Sequence, residues 1–544
     1  MLIFEDYICT LKLELSKRMK VLSKYYFLIV LFVYFLAGII LFSFYRYNIQ
    51  VDTIQYLSIA EQYASGHYSE AINSYWSPLL IWILAGFVKI GFNALFTMHV
   101  LQVIIGAFAL YGVLMLIPFQ QNKIIFFIHL SLVVCILSYA FLVQTPDLLF
   151  TTLIIWYLFL LLKTDCYFKK KYSFLLFGFI GAFMYFAKYP GFFAFIGSFS
   201  IFNFYHLLKK TFSLKGLIIK YILSISVFFV LSIGWVTIIS KKENKFLVSS
   251  SIEYNFKIVG PIINPNAFDK MKHPVWVIGL VPPPYNHSIG AWEVLNKVEY
   301  GKWNAFENKK SFIHYLKVIL RNLISVQSFY FGKDHGTVLF VLIGFLFFID
   351  RKRIHSIISK NMLLILMTLP FTLPYLFVLV EERYIWINNI VFSLLLASII
   401  EAYWNANKSA IILFTTAFCI TLVDTPVYNL IYRNDTSDNC EDIFNEKDEL
   451  VKYIHGNIAS VCTDEVFPES QYAKSYTVSY LINSPYFGMI TLPKQTHQLA
   501  RDLKQYNIDY LFSWDSNYQL PDSLYNDKRQ FKCGLLVYKL RRPE

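Results

Sequence analysis

The chain has 544 residues, of which 56% are hydrophobic, 19% aromatic and only 16% charged. Soluble domains are roughly 45–50% apolar and about a quarter charged, so the composition excludes an ordinary soluble protein and predicts a polytopic α-helical membrane protein. The formal net charge of +13 follows from Lys and Arg gathering in short loops on the cytoplasmic side, so no nucleic-acid partner is expected.

Residues 1–24 carry Lys17, Arg18, Lys20 and Lys24 and read as a cytoplasmic N-terminus. The apolar run Tyr25–Phe44 has the roughly 20 residues that cross a bilayer, and no small-residue cleavage site follows it. It delivers an external loop, residues 45–94. Within that loop DTIQYLSIAEQYASGHYSEAINSYWSP (Asp52 to Pro78) places Ile54, Leu57, Ala60 and Tyr63 or Ala64 on one helical face. Gly66 is the expected helix end. The short segment Pro78–Gly91, interrupted by Lys89, reads as a helix at, or dipping into, the outer face. If it crossed fully, the following loops would invert, against the positive-inside bias.

Further spans are predicted at Leu95–Ile117, which ends in QQNK, at Ile124–Phe141, and at Leu148–Leu162, which ends in the basic stretch Lys163–Lys171. Tyr172–Leu208 is long enough for two, broken at Lys188-Tyr189-Pro190-Gly191, where Pro removes a backbone donor. Leu217–Ser240 returns outward. Residues 241–335, containing VPPPYN and SIGAWEVL, read as an external loop with an interfacial amphipathic helix at Phe312–Phe331. Val338–Ile349, capped by Asp350-Arg351-Lys352-Arg353, then Met362–Val380, Ile385–Ile400 and Ala410–Val423 bring the total to about eleven crossings. The transmembrane domain then spans 25–424, with the N-terminus cytoplasmic and the C-terminus extracytoplasmic.

From Thr425 the composition becomes that of a soluble domain, 425–544. KDELVKYIHGN reads as a helix, SVCTDEVF as strand and turn, QLARDLKQYNIDYLFSW as helix then strand, and KCGLLVYKL as a last strand. Helices alternating with short apolar strands predict a small extracytoplasmic α/β domain. Seven cysteines form no CxxC pair. Cys135 and Cys419 fall in spans as small hydrophobes. Cys440, Cys462 and Cys533 allow one disulfide in an oxidising compartment, with the pairing open.

Four polar points fall on the outer face in this topology: Asp52, Asp147, Lys188 and the stretch Glu381-Glu382-Arg383-Tyr384. Singly, each has a plain explanation: an interfacial charge, an N-cap after Pro146, a snorkelling lysine, an ordinary loop. Their convergence points to function.

The order of these motifs resembles GT-C-type membrane glycosyltransferases, which take a sugar from a polyprenyl-phosphate carrier and include protein O-mannosyltransferases and the aminoarabinose transferases of lipid A. The carrying residues are Asp52-x-x-x-Tyr56 with Ala60 and Gly66-His67, then Trp76-Ser77-Pro78-Leu79, Thr145-Pro146-Asp147-Leu148, Gly178-x-x-Gly181-Ala182, Lys188-Tyr189-Pro190-Gly191 and Glu382-Arg383-Tyr384. The match covers residues 25–205 well and the later spans loosely. It implies catalytic roles for Asp52, as base or metal ligand, and for Asp147. It implies substrate contacts from Tyr56, His67, Lys188, Tyr189, Glu382, Arg383 and Tyr384, with Lys188 and Arg383 meeting the carrier phosphate. Several relatives carry an acid or His where this chain has Trp76 and Ser77, so a divalent metal at Asp52 is left open; His67 and Glu70 are alternative ligands.

The resemblance implies sugar transfer at the outer face of a bacterial inner (plasma) membrane. The donor is a polyprenyl-phosphate-linked sugar and the acceptor a hydroxyl on a lipid-linked glycan, an envelope polymer or a protein. A transporter or lipid-glycan flippase is the alternative, although the two halves show no inverted repeat and no paired broken helices. A non-catalytic scaffold is a third reading.

Overall fold

The computed structural model describes residues 17–117, 124–163, 167–168, 172–268, 279–298, 301–331, 334–432, 440–462, 468–491 and 496–541. The N-terminal residues 1–16, the QQNK turn, most of Lys163–Lys171 and the turn expected after Cys462 lie outside the described residues.

The protein is mostly helical, 71%, with a small C-terminal sheet. Among the described residues, seven helices are long and apolar enough to cross a membrane: Tyr25–Tyr45, Ala94–Leu116, Ile125–Leu142, Gly191–Leu208, Leu214–Glu243, Arg351–Phe377 and Lys408–Tyr432. An eighth is reached if the pair Lys309–Phe331 and His335–Ile349, bent by 76°, counts as one span. The other crossings expected from the sequence fall on shorter apolar helices, Asp147–Leu162, Ser173–Ala187 and Ile387–Tyr403. Large apolar side chains such as Ile39, Phe108, Val230 and Leu413 are more than half exposed on these helices. So much exposed apolar surface is stable in lipid and aggregation-prone in water, which is the pattern of a polytopic membrane protein.

Three boundaries of the late helices differ from expectation, the first being a helix start at Arg351 where the span is expected from Met362. The span expected over Met362–Val380 ends as an α-helix at Thr372 and tightens to a 3₁₀ turn, Leu373–Phe377, because Pro374 offers no backbone donor to the α ladder. The last long helix, Lys408–Tyr432, runs past the composition change at Thr425 and through Pro426.

The helices that matter for the site meet at close range. A side chain at Gly178 would collide with the Val227 side chain and the Ser224 carbonyl at 2.5 and 2.8 Å, so the glycine lets Ser173–Ala187 lie against Leu214–Glu243. Backbone at Lys188 is extended and Pro190 starts the next helix, Gly191–Leu208. The break expected at Lys188–Gly191 is therefore present.

The C-terminal region folds as a five-stranded sheet in the order β2-β1-β3-β5-β4. The strands are β1 (Ile458–Cys462), β2 (Tyr486–Thr491), β3 (Tyr510–Ser513), β4 (Tyr525–Gln530) and β5 (Leu536–Leu540). β1 pairs in parallel with β2 and β3, while β5 runs antiparallel to β3 and β4. β1 and β3 are buried throughout, which explains their continuous apolar runs. Helix Pro468–Leu481 docks this unit onto helix Val51–Ala64: Tyr476 Oη donates to Gln55 Oε1 at 3.1 Å and Tyr480 Oη to Glu61 Oε1 at 2.9 Å. Among the described residues no disulfide joins Cys440, Cys462 and Cys533.

Candidate functional site

Helix Val51–Ala64 carries Asp52 in its first turn, and Gly66 at φ +90° lets the chain turn away after it. Asp147 opens helix Asp147–Leu162 directly after Pro146. Lys188 stands on the extended break, and Arg383 on a one-turn 3₁₀ helix, Glu382–Ile385. Two helix starts, one helix break and one 3₁₀ turn thus supply the four charges. Each charge sits where the backbone is not committed to an uninterrupted apolar helix.

These groups form one connected cluster. Arg383 Nη2 donates to Asp52 Oδ2 at 2.9 Å, and its Nε donates to Glu381 Oε2 at 2.7 Å and lies 4.0 Å from Asp147 Oδ2. Lys188 Nζ pairs with Asp147 Oδ1, and Thr145 Oγ1 donates to Asp147 Oδ2 at 2.6 Å. The Lys188 ammonium also lies 3.7 Å from the centre of the Tyr384 ring, whose hydroxyl donates to Glu381 Oε1 at 2.9 Å. Asp147 is buried, and Asp52 and Arg383 are each about one-fifth exposed. Charges this far from water persist only when paired and hydrogen-bonded, and here every one is.

Asp52 and Arg383 stand on the wall between two cavities. The smaller, 80 Å³, is lined by Asp52, Tyr56, Asp147, Lys188, Arg383 and Tyr384 among others. The larger, 540 Å³, is lined by Asp52, Glu381, Glu382, Arg383, Tyr139 and Trp386 among others. Only the larger falls in the range of about 300–1,000 Å³ typical of small-molecule sites. Burial, followed by the nearby Asp147 and Asp52 carboxylates, raises the Tyr56 hydroxyl well above its ordinary range. It therefore stays a donor.

Of the residues expected at the site, Asp52, Tyr56, Asp147, Lys188, Tyr189, Arg383 and Tyr384 line the smaller cavity together, and Glu382 lines the larger. The Tyr189 hydroxyl faces structure: it donates to the Asn73 carbonyl at 2.6 Å and accepts from Trp235 Nε1 at 3.1 Å. His67 is not in the cluster. It lies beyond the opposite end of helix Val51–Ala64, and twelve residues at 1.5 Å each put roughly 18 Å between the Asp52 and Ala64 ends. Its neighbours are His287 and Glu70.

A divalent metal at Asp52 does not fit the donors present. The Arg383 guanidinium occupies Asp52 Oδ2, and the nearest other carboxylates, Asp147 and Glu381, are already held by Lys188 and Arg383. A cation there would face two fixed positive charges.

Sequence reasoning missed Glu381 as the second partner of Arg383, and it missed Glu293. The Glu293 carboxylate is buried and accepts from Ser58 Oγ at 2.7 Å, Gln62 Nε2 at 2.8 Å and the Ile289 amide at 2.7 Å. Burial nevertheless raises its pKa above the ordinary carboxylate range. A lone acid inside SIGAWEVL was the available signal.

No family model matches the chain, and no curated protein matches it either.

Proposed function

We propose that the chain is a membrane glycosyltransferase that moves a sugar from a polyprenyl-phosphate carrier to a hydroxyl acceptor at the outer face of the membrane. The observation that carries this reading is the joining of Asp52, Asp147, Lys188 and Arg383 into one buried cluster at the edge of a cavity of ligand size. In the proposed reaction Asp52 takes the proton of the acceptor hydroxyl. The acceptor oxygen attacks the anomeric carbon, and the bond from that carbon to the carrier phosphate breaks with inversion. The electron pair leaves with the phosphate, where Arg383 and Lys188 meet the developing charge. Arg383 suits this role because its planar fork binds two oxygens at once. Asp147 holds Lys188 in position.

The reading includes eleven crossings, a cytoplasmic N-terminus and an extracytoplasmic C-terminal domain, an arrangement that puts the cluster on the outer side. The test is a lipid-linked sugar profile of cells with the active protein against cells carrying an inactive one. Accumulation of one carrier-linked sugar in the latter names the donor. An unchanged profile, together with no transfer by the purified protein, refutes the enzyme.

A further inference from the structure

Outside the charged cluster, the described residues bring three metal-ligating side chains together: His67, Glu70 and His287, with one ligand atom of each within 4.8 Å of the others. His67 precedes the short helix Tyr68–Ala71, Glu70 lies on it, and His287 comes from the 279–298 segment more than 200 residues later. Nδ1 of His287 lies 3.1 Å from Glu70 Oε1, and the two imidazoles stack at 3.6 Å with planes 19° apart.

We propose that His67, Glu70 and His287 bind a zinc-class divalent cation that clamps the first external loop to the 279–298 segment. Two imidazole nitrogens and one carboxylate oxygen are a donor set that suits zinc and its neighbours over magnesium or calcium. With bonds of about 2.0–2.2 Å, tetrahedral ligands stand about 3.4 Å apart, so the Glu70–His287 separation already matches. His287 is 47% exposed and Glu70 19%, so the His287 ring has room to swing off the face of His67, the movement that brings both imidazole nitrogens onto one cation. The surroundings hold the ligands in place. The His287 amide donates to Glu70 Oε2 at 3.2 Å, and Gln62 Nε2 donates to the His287 carbonyl at 3.0 Å. The neighbouring Lys242 ammonium is turned to the backbone carbonyls of Ser69, Glu70 and Ile72, which leaves the ligand atoms to the cation.

A 380 Å³ cavity lined by His67, His287, Gln62 and Glu61 opens beside the group, so a fourth position is open to water or a ligand. The separation of roughly 18 Å along helix Val51–Ala64 keeps this cation from the Asp52 carboxylate. Its role is to fix the external loops that bracket the cluster, and it does not depend on the reaction proposed above.

The experiment titrates cobalt(II), a spectroscopic stand-in for zinc, into untagged, chelator-stripped full-length protein in detergent. One saturable equivalent per chain with visible d–d absorption, displaced by zinc, is expected from the wild type. His287→Ala and Glu70→Gln should each weaken binding by at least about tenfold, while His455→Ala, at an exposed histidine elsewhere, should not. Absence of a saturable equivalent in the wild type overturns the site, as does equal binding by wild type and both ligand variants. Because the readout is binding, the outcome is independent of whether the protein transfers sugar.

Discussion

Replacing Asp52 by Asn separates charge from shape, and the structure sets what each loss should cost. Asn keeps an oxygen that accepts from Arg383 Nη2 at the present 2.9 Å, but it removes the negative charge and the capacity to take a proton. Arg383 is not stranded by the change, because Glu381 still binds its Nε at 2.7 Å and Asp147 lies 4.0 Å away. Breaking a buried pair that leaves its partner alone costs about 3–5 kcal/mol. With the partner still satisfied and the hydrogen bond kept by the amide oxygen, the loss should be nearer about 1 kcal/mol, the net scale of one ordinary hydrogen bond. Transfer, by contrast, should fall by about 10²-fold or more if Asp52 is the base. The assay is transfer from a carrier-linked sugar by purified protein, with a thermal melt on the same samples. Glu61→Gln is the control: it lies in the same helix and, as Gln, still accepts the Tyr480 hydroxyl. Equal activity losses in the two variants would refute the assignment of Asp52. So would a collapse of the Asp52→Asn melt that accounts for all the lost activity.

Asp147→Asn should destabilise more than Asp52→Asn, by about 3 kcal/mol, because it removes the carboxylate that pairs with the buried Lys188; a thermal or denaturant melt ranks the two. Arg383→Lys should raise the donor KM about tenfold with a smaller change in kcat, since an ammonium lacks the planar fork that holds Glu381 on one edge while meeting a phosphate on the other; an unchanged KM argues against phosphate contact. A reporter fused after Glu544 should be external and one inserted in the 166–171 loop cytoplasmic, and finding both on one side would dismantle the proposed topology. Burial pushes Glu61 up to about 7, against the Tyr480 hydrogen bond that lowers it. A carboxyl raised on folding contributes most below its unfolded value, so docking of the C-terminal domain should weaken as pH rises from about 4.5 to 7. Glu61→Gln should flatten that part of the stability profile, and a profile identical to wild type would count against the coupling.

Much of the site was legible because each of its charges breaks a local rule. Asp52 follows an apolar span, Asp147 follows a proline, Lys188 precedes Tyr-Pro-Gly inside hydrophobic sequence, and Arg383 falls between two late spans. Such residues stand out against hydrophobic periodicity without any knowledge of contacts. The pairing was not legible. That Arg383 reaches Asp52, 331 positions away, depends on how helices pack, and a one-turn 3₁₀ helix leaves no periodic trace. His67 was drawn into the site by its position next to Gly66. The length of helix Val51–Ala64 separates it, a distance that spacing along the chain does not reveal until the segment is known to be straight helix. In the C-terminal domain, buried β1, β3 and β5 were visible as apolar runs. β4, with sequence YNDKRQ and mostly exposed, was hidden because an edge strand needs no apolar face. β2 is interrupted by Gly488 at φ +118°, which weakens its strand signal.

The proposed mechanism gives the ion pairs a consequence beyond stability. In the described state the base and the phosphate-binding cation neutralise each other, since Arg383 sits on Asp52 and Glu381. The Asp52 oxygen that faces Arg383 is occupied by its guanidinium, and a guanidinium held by two carboxylates has few donors to spare. In this mechanism the carrier phosphate comes to the wall between the two cavities, where Arg383 faces both and Lys188 lines the smaller, and it competes with Asp52 for the guanidinium. Glu381 can remain with the guanidinium at its Nε edge while Nη2 turns to the phosphate, which frees Asp52 for the acceptor hydroxyl. Donor binding and release of the base are then one event, so acceptor alone meets a base that is still paired. Water should meet the same restriction, which in the proposed mechanism protects the donor from hydrolysis. The arrangement requires that the Asp52–Arg383 contact be breakable. Asp52–Arg383 is the more exposed pair, 22% and 19% against 5% and 14% for Asp147–Lys188, so the proposed mechanism expects it to open first.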